Sequence, residues 1–403
     1  MQTLVKRSAS VLAFVSATTM LAGVAHAQNM AVSKDGRWTA VSEIVGQTAT
    51  SSVVAPAGGG GGDPIYIPTP GKYAGTVGLR MVFTNANNVQ SAFVCSGSLV
   101  NGNTIVTAAH CMVNPGAGTF TSASAFFHNG PDGPTVYNPA LSGSTEVAVV
   151  KAIAHQSYTG QVVDENDIAI FKLNSALPSF AKAYQLSSLT DLTGVDHTIA
   201  GYGARSTAGG STGTLAVSNA NTGRLRDADN RFDFRFGDPD FEGYFDNAFG
   251  PPGVPGASAK NVWVSDFDNG TAFRDNSCNL AGFEASSAPA IFNKPVFSTS
   301  KYCDLGRGAR EGIGAGGDSG TGYFVNGKLA AVHSFALWYR NDESANRFGQ
   351  FKGAVSVDFH RAFINAGMLE AVPEPATWAM MIGGFGLAGA AMRRRARTAV
   401  TFA

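Results

Sequence analysis

Across 403 residues, 44% are hydrophobic and 14% charged, with Lys+Arg and Asp+Glu balanced at 29 each. That apolar content is ample for a sizeable core. The sparse, even charge builds no basic field of the kind nucleic acid requires, so a nucleic-acid partner is excluded on composition.

Residues 1–27 carry Lys6 and Arg7, an apolar run from Val11 to Val24, and then Ala25-His26-Ala27. This order predicts a secretory signal peptide cut before Gln28. Residues 28–71 contain GGGGG at 58–62 and prolines at 56, 64, 68 and 70. Such composition predicts a pro-region or linker rather than a packed element. Alternating apolar runs then predict short strands at 76–84, 92–100, 104–109, 146–155 and 167–173. Further runs lie at 197–203, 261–267, 321–338 and 353–359, with Asn326-Gly327 as a hairpin turn. Arg361 to Ala371 predicts one closing helix, in an otherwise all-β chain.

Residues 224–276 stand apart, crowded with Asp and Phe. Asp266 and Asp268 offer oxygens of the kind calcium takes, but the stretch is one residue short of an EF-hand loop and lacks its terminal glutamate. A turn at Asn269-Gly270 is the simpler reading, and no metal is expected. In an exported chain the four cysteines favour disulfides. Three pairings are possible, and the expected one, Cys95–Cys111 and Cys278–Cys303, closes the shortest loops.

The C-terminal end reads Val372-Pro373-Glu374-Pro375, an uncharged run from Ala376 to Met392, then Arg393, Arg394, Arg395 and Arg397. The run is at the short limit for spanning a bilayer, and the arginines hold that flank in the cytoplasm. The three parts in this order resemble the PEP-CTERM sorting signal of Gram-negative bacteria. The resemblance assigns 372–403 to sorting and implies a cell-envelope or extracellular-matrix destination. It also implies transient anchoring in the inner membrane through the helix, and a membrane sorting protease as partner.

Three short motifs carry chemistry. Thr107-Ala108-Ala109-His110-Cys111 offers a base, Asp167-Ile168-Ala169-Ile170 a carboxylate ahead of an apolar strand, and Gly317-Asp318-Ser319-Gly320 a hydroxyl in a tight turn. Histidine is suited to take a serine proton near neutral pH and return it, and a carboxylate on its other nitrogen fixes the tautomer. Singly, each residue has a bland structural reading; together, in this order, they resemble the chymotrypsin/trypsin-like serine proteases. The resemblance covers roughly residues 72 to 370 and implies a protease domain at 72–371. It implies two six-stranded antiparallel β-barrels with a C-terminal helix and an insertion in the second barrel.

Carried over by motif, the family's catalytic residues are His110, Asp167 and Ser319, with the N–H groups of Gly317 and Ser319 as oxyanion hole. The substrate pocket is expected at Ile313, Ser334 and Ala336, whose lack of charge implies small or medium apolar side chains rather than Lys or Arg. The implied activity is a secreted serine endopeptidase acting on protein or peptide substrates, without a cofactor. Ile44-Val45-Gly46-Gln47 resembles the N-terminus that family exposes on activation to pair with Asp318, although Glu43 rather than Arg or Lys precedes it. Thr321-Gly322 stands where the family usually has Gly-Pro. The competing function is a catalytically silent surface-binding or matrix protein on the same fold; it predicts a missing triad member, and none is missing.

Overall fold

The computed structural model describes residues 27–47 and 64–370, apart from 115, 131–132, 175–176, 205–221, 247, 251–252, 281–300 and 340–347, together with 385 and 387–389. The first two strands, β1 (Ala27–Val32) and β2 (Trp38–Gln47), form an antiparallel hairpin. There follow β3 (Thr76–Thr84), β4 (Gln90–Asn101), β5 (Thr104–Thr107), β6 (Thr119–Phe127), β7 (Thr145–Ala154) and β8 (Ala169–Leu173). Their ladder runs β4-β3-β6-β7-β8-β5 and returns to β4, so these six strands close on themselves. Closure removes every free edge. The inward set, including Leu79, Met81, Phe83, Phe93, Ala125, Phe127 and Phe171, fills the barrel.

The second unit contains β9 (Val195–Gly201), β10 (Arg226–Phe232), β11 (Phe234–Arg235), β12 (Val262–Ser265), β13 (Gly322–Val325), β14 (Lys328–Tyr339) and β15 (Phe351–Ser356). Its order is β10-β9-β13-β14-β15-β12, with β11 paired to β12. No ladder joins β10 to β12, so it is a half-barrel. Asn230 Nδ2 donates to Asp266 O at 2.8 Å, and Asp266 N–H donates to Asp233 Oδ2 at 2.7 Å, stitching the open seam with side chains. A last helix, α1 (Arg361–Leu369), packs Ile364 against the seam between the units.

The expected strands are all present, with ends shifted by a few residues, and β6 and β10 are two that periodicity did not reveal. Asn326 (φ 50°) and Gly327 (φ 75°) make the β13–β14 hairpin turn. Both φ values are positive, as a type I′ turn requires. Asn269-Gly270, in contrast, forms a bend that joins no two strands. Both sequential disulfides are present.

One expectation is corrected. Residues 28–71 are not wholly unpacked: Trp38 and Ala40 are fully buried, and Trp38 packs against Phe245 and Phe351. The glycine and proline content of that region is concentrated after Gln47, so the average hid a strand. The Asp/Phe-rich segment carries the expected insertion in the second unit. Its ends supply strands β10 to β12 of the half-barrel, and only the stretch between β11 and β12 is extra. Phe236, Phe241, Phe245 and Phe249 from that excursion form a separate core with Trp38, Phe335 and Phe351. The signal peptide and most of the apolar run 376–392 lie outside the described residues, among which no helix is long and apolar enough to cross a membrane.

Candidate active site

Strand β5 ends at Thr107, and a single helical turn over Ala109–Cys111 carries His110 into the seam between the two units. The small Ala108 and Ala109, both fully buried, allow that turn to lie against its neighbours. Cys111 bridges back to Cys95 in β4, fixing the far side of the turn. Asp167 stands two residues before β8, and its carboxylate meets three donors. Oδ1 accepts from the His110 backbone N–H at 2.8 Å. Oδ2 lies 2.6 Å from His110 Nδ1 and accepts from Ser334 Oγ at 2.5 Å. A carboxylate accepts only, so Nδ1 carries the proton and Nε2 is left with its lone pair. That Nε2 is buried and has no hydrogen-bond partner among the described residues.

The Ser319 turn is pinned between the units. Ser319 O accepts from Ser96 N–H at 2.8 Å, and the Gly320 N–H donates to His333 O at 2.8 Å. Ser96 Oγ donates to Gly317 O at 3.0 Å. Gly320 sits at φ +81°, where an added Cβ would fall 2.0 Å from Thr107 Oγ1 and 2.8 Å from Ala108 N. Only glycine lets this turn approach the His110 segment so closely. Gly317, at φ +95°, is also in the left-handed region. Asp318 Oδ1 accepts from Gly203 N–H at 2.8 Å and Oδ2 from Ala315 N–H at 3.0 Å. The turn is therefore held by backbone donors while Ile44 lies within β2, so no chain end at Ile44 organises it.

The structure brings His110, Asp167, Ser334 and the Ser319 turn together. Ser334, expected to line the substrate pocket, donates its hydroxyl to Asp167. Ala336 is buried on β14. Ile313 lies in irregular backbone six residues before Ser319. Glu311, two residues earlier, accepts the Arg307 N–H at 2.6 Å and the Asp268 N–H at 3.4 Å, and burial pushes its pKa up to about 8. Cys278 and Cys303 are bridged beside Asp275.

Two polar side chains were missed by sequence reasoning. His333 is buried against Gly314, where an added Cβ would fall 2.9 Å from its Nε2. Its Nδ1 is 2.9 Å from Tyr323 Oη. Burial, and then neighbouring Lys352 and His110, hold its pKa well below the imidazole value. Lys352 itself is 1% exposed and faces Ala336 across the β14–β15 ladder. Periodicity could not reveal either, because their placement depends on which strands pair. Asp266, Asp268 and Asp275 also cluster, with carboxylate oxygens within 4.8 Å of one another. Burial raises the pKa of each, and that of Asp275 reaches about 7.

A closed six-stranded barrel beside a half-barrel, with serine, histidine and aspartate gathered at the seam, defines the chymotrypsin-like class of fold. The trypsin family model matches residues 74–232, a span holding His110 and Asp167 but ending before Ser319, and the PEP-CTERM protein-sorting motif matches residues 371–395. Trypsin zeta of Drosophila erecta is 29% identical over 221 residues, covering 50% of this chain and 71% of that protein. Trypsin alpha-4 of Lucilia cuprina is 32% identical over 117 residues, 28% of this chain and 41% of that protein. Among solved structures, neuropsin, a serine protease expressed in the limbic system of mouse brain, aligns at 15% identity and a TM-score of 0.44, covering 75% of this chain and 98% of that one. The chain is thus similar to the trypsin-like serine proteases over its first barrel and the start of its second unit, and it carries a PEP-CTERM sorting motif, which indicates export to the envelope or beyond.

Proposed function

We propose that this chain is an exported serine endopeptidase that hydrolyses peptide bonds through His110, Asp167 and Ser319. The observation that carries the reading is the His110 ring. One nitrogen is locked to a buried carboxylate at 2.6 Å, and the other is buried and unpartnered in a seam shared with the Ser319 turn. A buried polar atom left without a partner costs about 1–3 kcal/mol. The cost is tolerable where the lone pair has work to do.

In this reading Nε2 takes the Ser319 proton as Oγ attacks the scissile carbonyl, and the imidazolium is stabilised by Asp167. The N–H groups of Gly317 and Ser319 receive the developing oxyanion, each donor contributing about 3 kcal/mol to the barrier. Nε2 then gives its proton to the leaving amine, and water, deprotonated by the same nitrogen, releases the acyl group. The β14 edge at Ser334–Ala336 supplies backbone groups for an extended substrate. Residues 72–371 form the protease domain, and the tail from 372 holds the protein at the inner membrane until a sorting protease cuts it.

The test is labelling with a fluorophosphonate probe, with Ser319→Ala as control. Labelling lost in the variant is expected, as is a fall in turnover of about 10⁴–10⁶ with folding unchanged. Near-native turnover by Ser319→Ala would overturn the assignment. Absence of labelling from the fully processed wild type would favour the silent binding protein.

A further inference from the structure

Strand β2 runs through the seam as a bound peptide would. Its Trp38–Val41 pair antiparallel with Ala336–Tyr339 of β14, the edge that continues from Ser334. Its Val45–Gln47 pair antiparallel with Ala92–Val94 of β4, the stretch leading into Cys95 and Ser96. Ser319 lies between these two edges, its carbonyl bonded to Ser96 and the next N–H bonded to His333. A chain tied to Ala336 at Val41 and to Val94 at Val45 crosses that gap with residues 42–44, which span about 10 Å when extended. The Glu43–Ile44 peptide bond lies within that crossing, on the Val45 side of its midpoint. The burial of the reacting groups agrees: Ser319 is 1% exposed, His110 0% and Ser42 1%.

The pocket beside this crossing carries a charge. Lys352 stands across the ladder from Ala336, the same residue that pairs with Val41 on its other edge. Its ammonium is close enough to His333 to be the largest influence on that ring after burial. His333 in turn packs closely on Gly314, where an added Cβ would fall 2.9 Å from its Nε2. Ile313, where a tryptic pocket has its acid, is neutral. In a dry pocket, opposite charges attract and like charges repel far more strongly than in water. A substrate ammonium or guanidinium would therefore be repelled by Lys352, and a carboxylate drawn in.

The two observations meet in one residue. We propose that the primary pocket takes an acidic side chain selected by Lys352, and that β2 is the chain's own first substrate, presenting the Glu43–Ile44 bond to Ser319. The proposal rests on the serine endopeptidase reading above. Ser319 Oγ adds to the Glu43 carbonyl, and its proton passes through His110 to the Ile44 nitrogen as the C–N bond breaks. Water then cleaves the Glu43–Ser319 ester, giving a Glu43 carboxylate, an Ile44 amine and a restored Ser319 hydroxyl. The cut opens a cleft that β2 had filled.

The test uses the full chain as wild type, Ser319→Ala, Lys352→Met and Lys352→Arg. Wild type is expected to convert to a form beginning at Ile44, while Ser319→Ala stays intact. Against peptides differing only at the residue before the cut, wild type should favour Glu over Arg by about 100-fold, from attraction in one case and like-charge contact in the other. Lys352→Met should lose at least about 10-fold of that preference, and Lys352→Arg should keep it. Equal or faster cleavage after Arg or Ala would overturn the pocket, as would an unchanged preference in Lys352→Met. Failure of every form to cut any peptide would count against the endopeptidase reading instead. Occupancy of the cleft would then be decided by hydrogen exchange in Ser319→Ala, where Ala336–Tyr339 amides exchanging as fast as an open loop would refute it.

Discussion

Replacing Asp167 with asparagine separates geometry from charge. Oδ1 accepts from a backbone N–H, that of His110, which cannot reverse its polarity. The asparagine carbonyl must therefore stay at Oδ1, and its NH₂ takes the Oδ2 position, 2.6 Å from His110 Nδ1. A donor there forces Nδ1 to become the acceptor and moves the ring proton to Nε2, the atom that receives the Ser319 proton in the proposed mechanism. The Ser334 hydroxyl can rotate to accept from the new amide, so little is left unpaired in the folded state. The expected loss of fold stability is that of a charge-assisted bond made neutral, about 1–2 kcal/mol. The expected loss of turnover at pH 7 is about 10⁴-fold, equivalent to about 5 kcal/mol. Turnover of a peptide ester by the processed enzyme, alongside denaturant unfolding, measures both. A turnover loss below about 10-fold would refute the argument that the His110 N–H dictates the tautomer.

Removing the Cys95–Cys111 bridge as a double alanine variant should cost about 3 kcal/mol, since the closed loop is 16 residues. Denaturant unfolding checks this, and a loss under about 1 kcal/mol would show that packing alone holds the His110 turn. Stability should also fall as pH rises from about 6.5 to 8. Burial, the largest cause in each case, raises Glu311 to about 8 and Asp275 to about 7, so the folded chain keeps protons that the unfolded chain releases near 4. Each retained proton lowers stability by about 1.4 kcal/mol per pH unit until its folded pKa is passed. The buried His197, depressed to about 3, and His360, depressed to about 4, act oppositely, but only below their ordinary value of 6.5. Melting temperatures that climb from pH 6.5 to 8 would contradict this.

The site was legible in the sequence where its chemistry is local. His110, Asp167 and Ser319 each sit in a short motif whose neighbours serve the same purpose: Ala108 and Ala109 for the turn, Gly320 for close approach. The strands were legible wherever apolar alternation met turn residues. What was hidden depends on register across distant pairs. Lys352 reads as an ordinary strand lysine until β15 pairs with β14. The hydroxyl of Ser334 points to Asp167 only because β14 passes the end of β8. Strand β2 was masked by the glycines and prolines that follow it, and Trp38 finds its aromatic partners only at Phe245 and Phe351, about 200 and 300 residues on.

That strand is made early and placed late. Pairing Val41 with Ala336 in a wholly unfolded chain would close a loop of roughly 300 residues, at an entropic cost of about 5 kcal/mol. Once the closed barrel has formed, only the short tether between Gln47 and β3 remains to be restricted, and the cost falls to about 3 kcal/mol. During synthesis β2 emerges long before β14 exists, so its β1 hairpin waits with one edge open and without the Phe245 and Phe351 rings that cover Trp38. Its docking therefore reports that both units have folded, and the order of synthesis makes the covering of the seam the closing event of assembly.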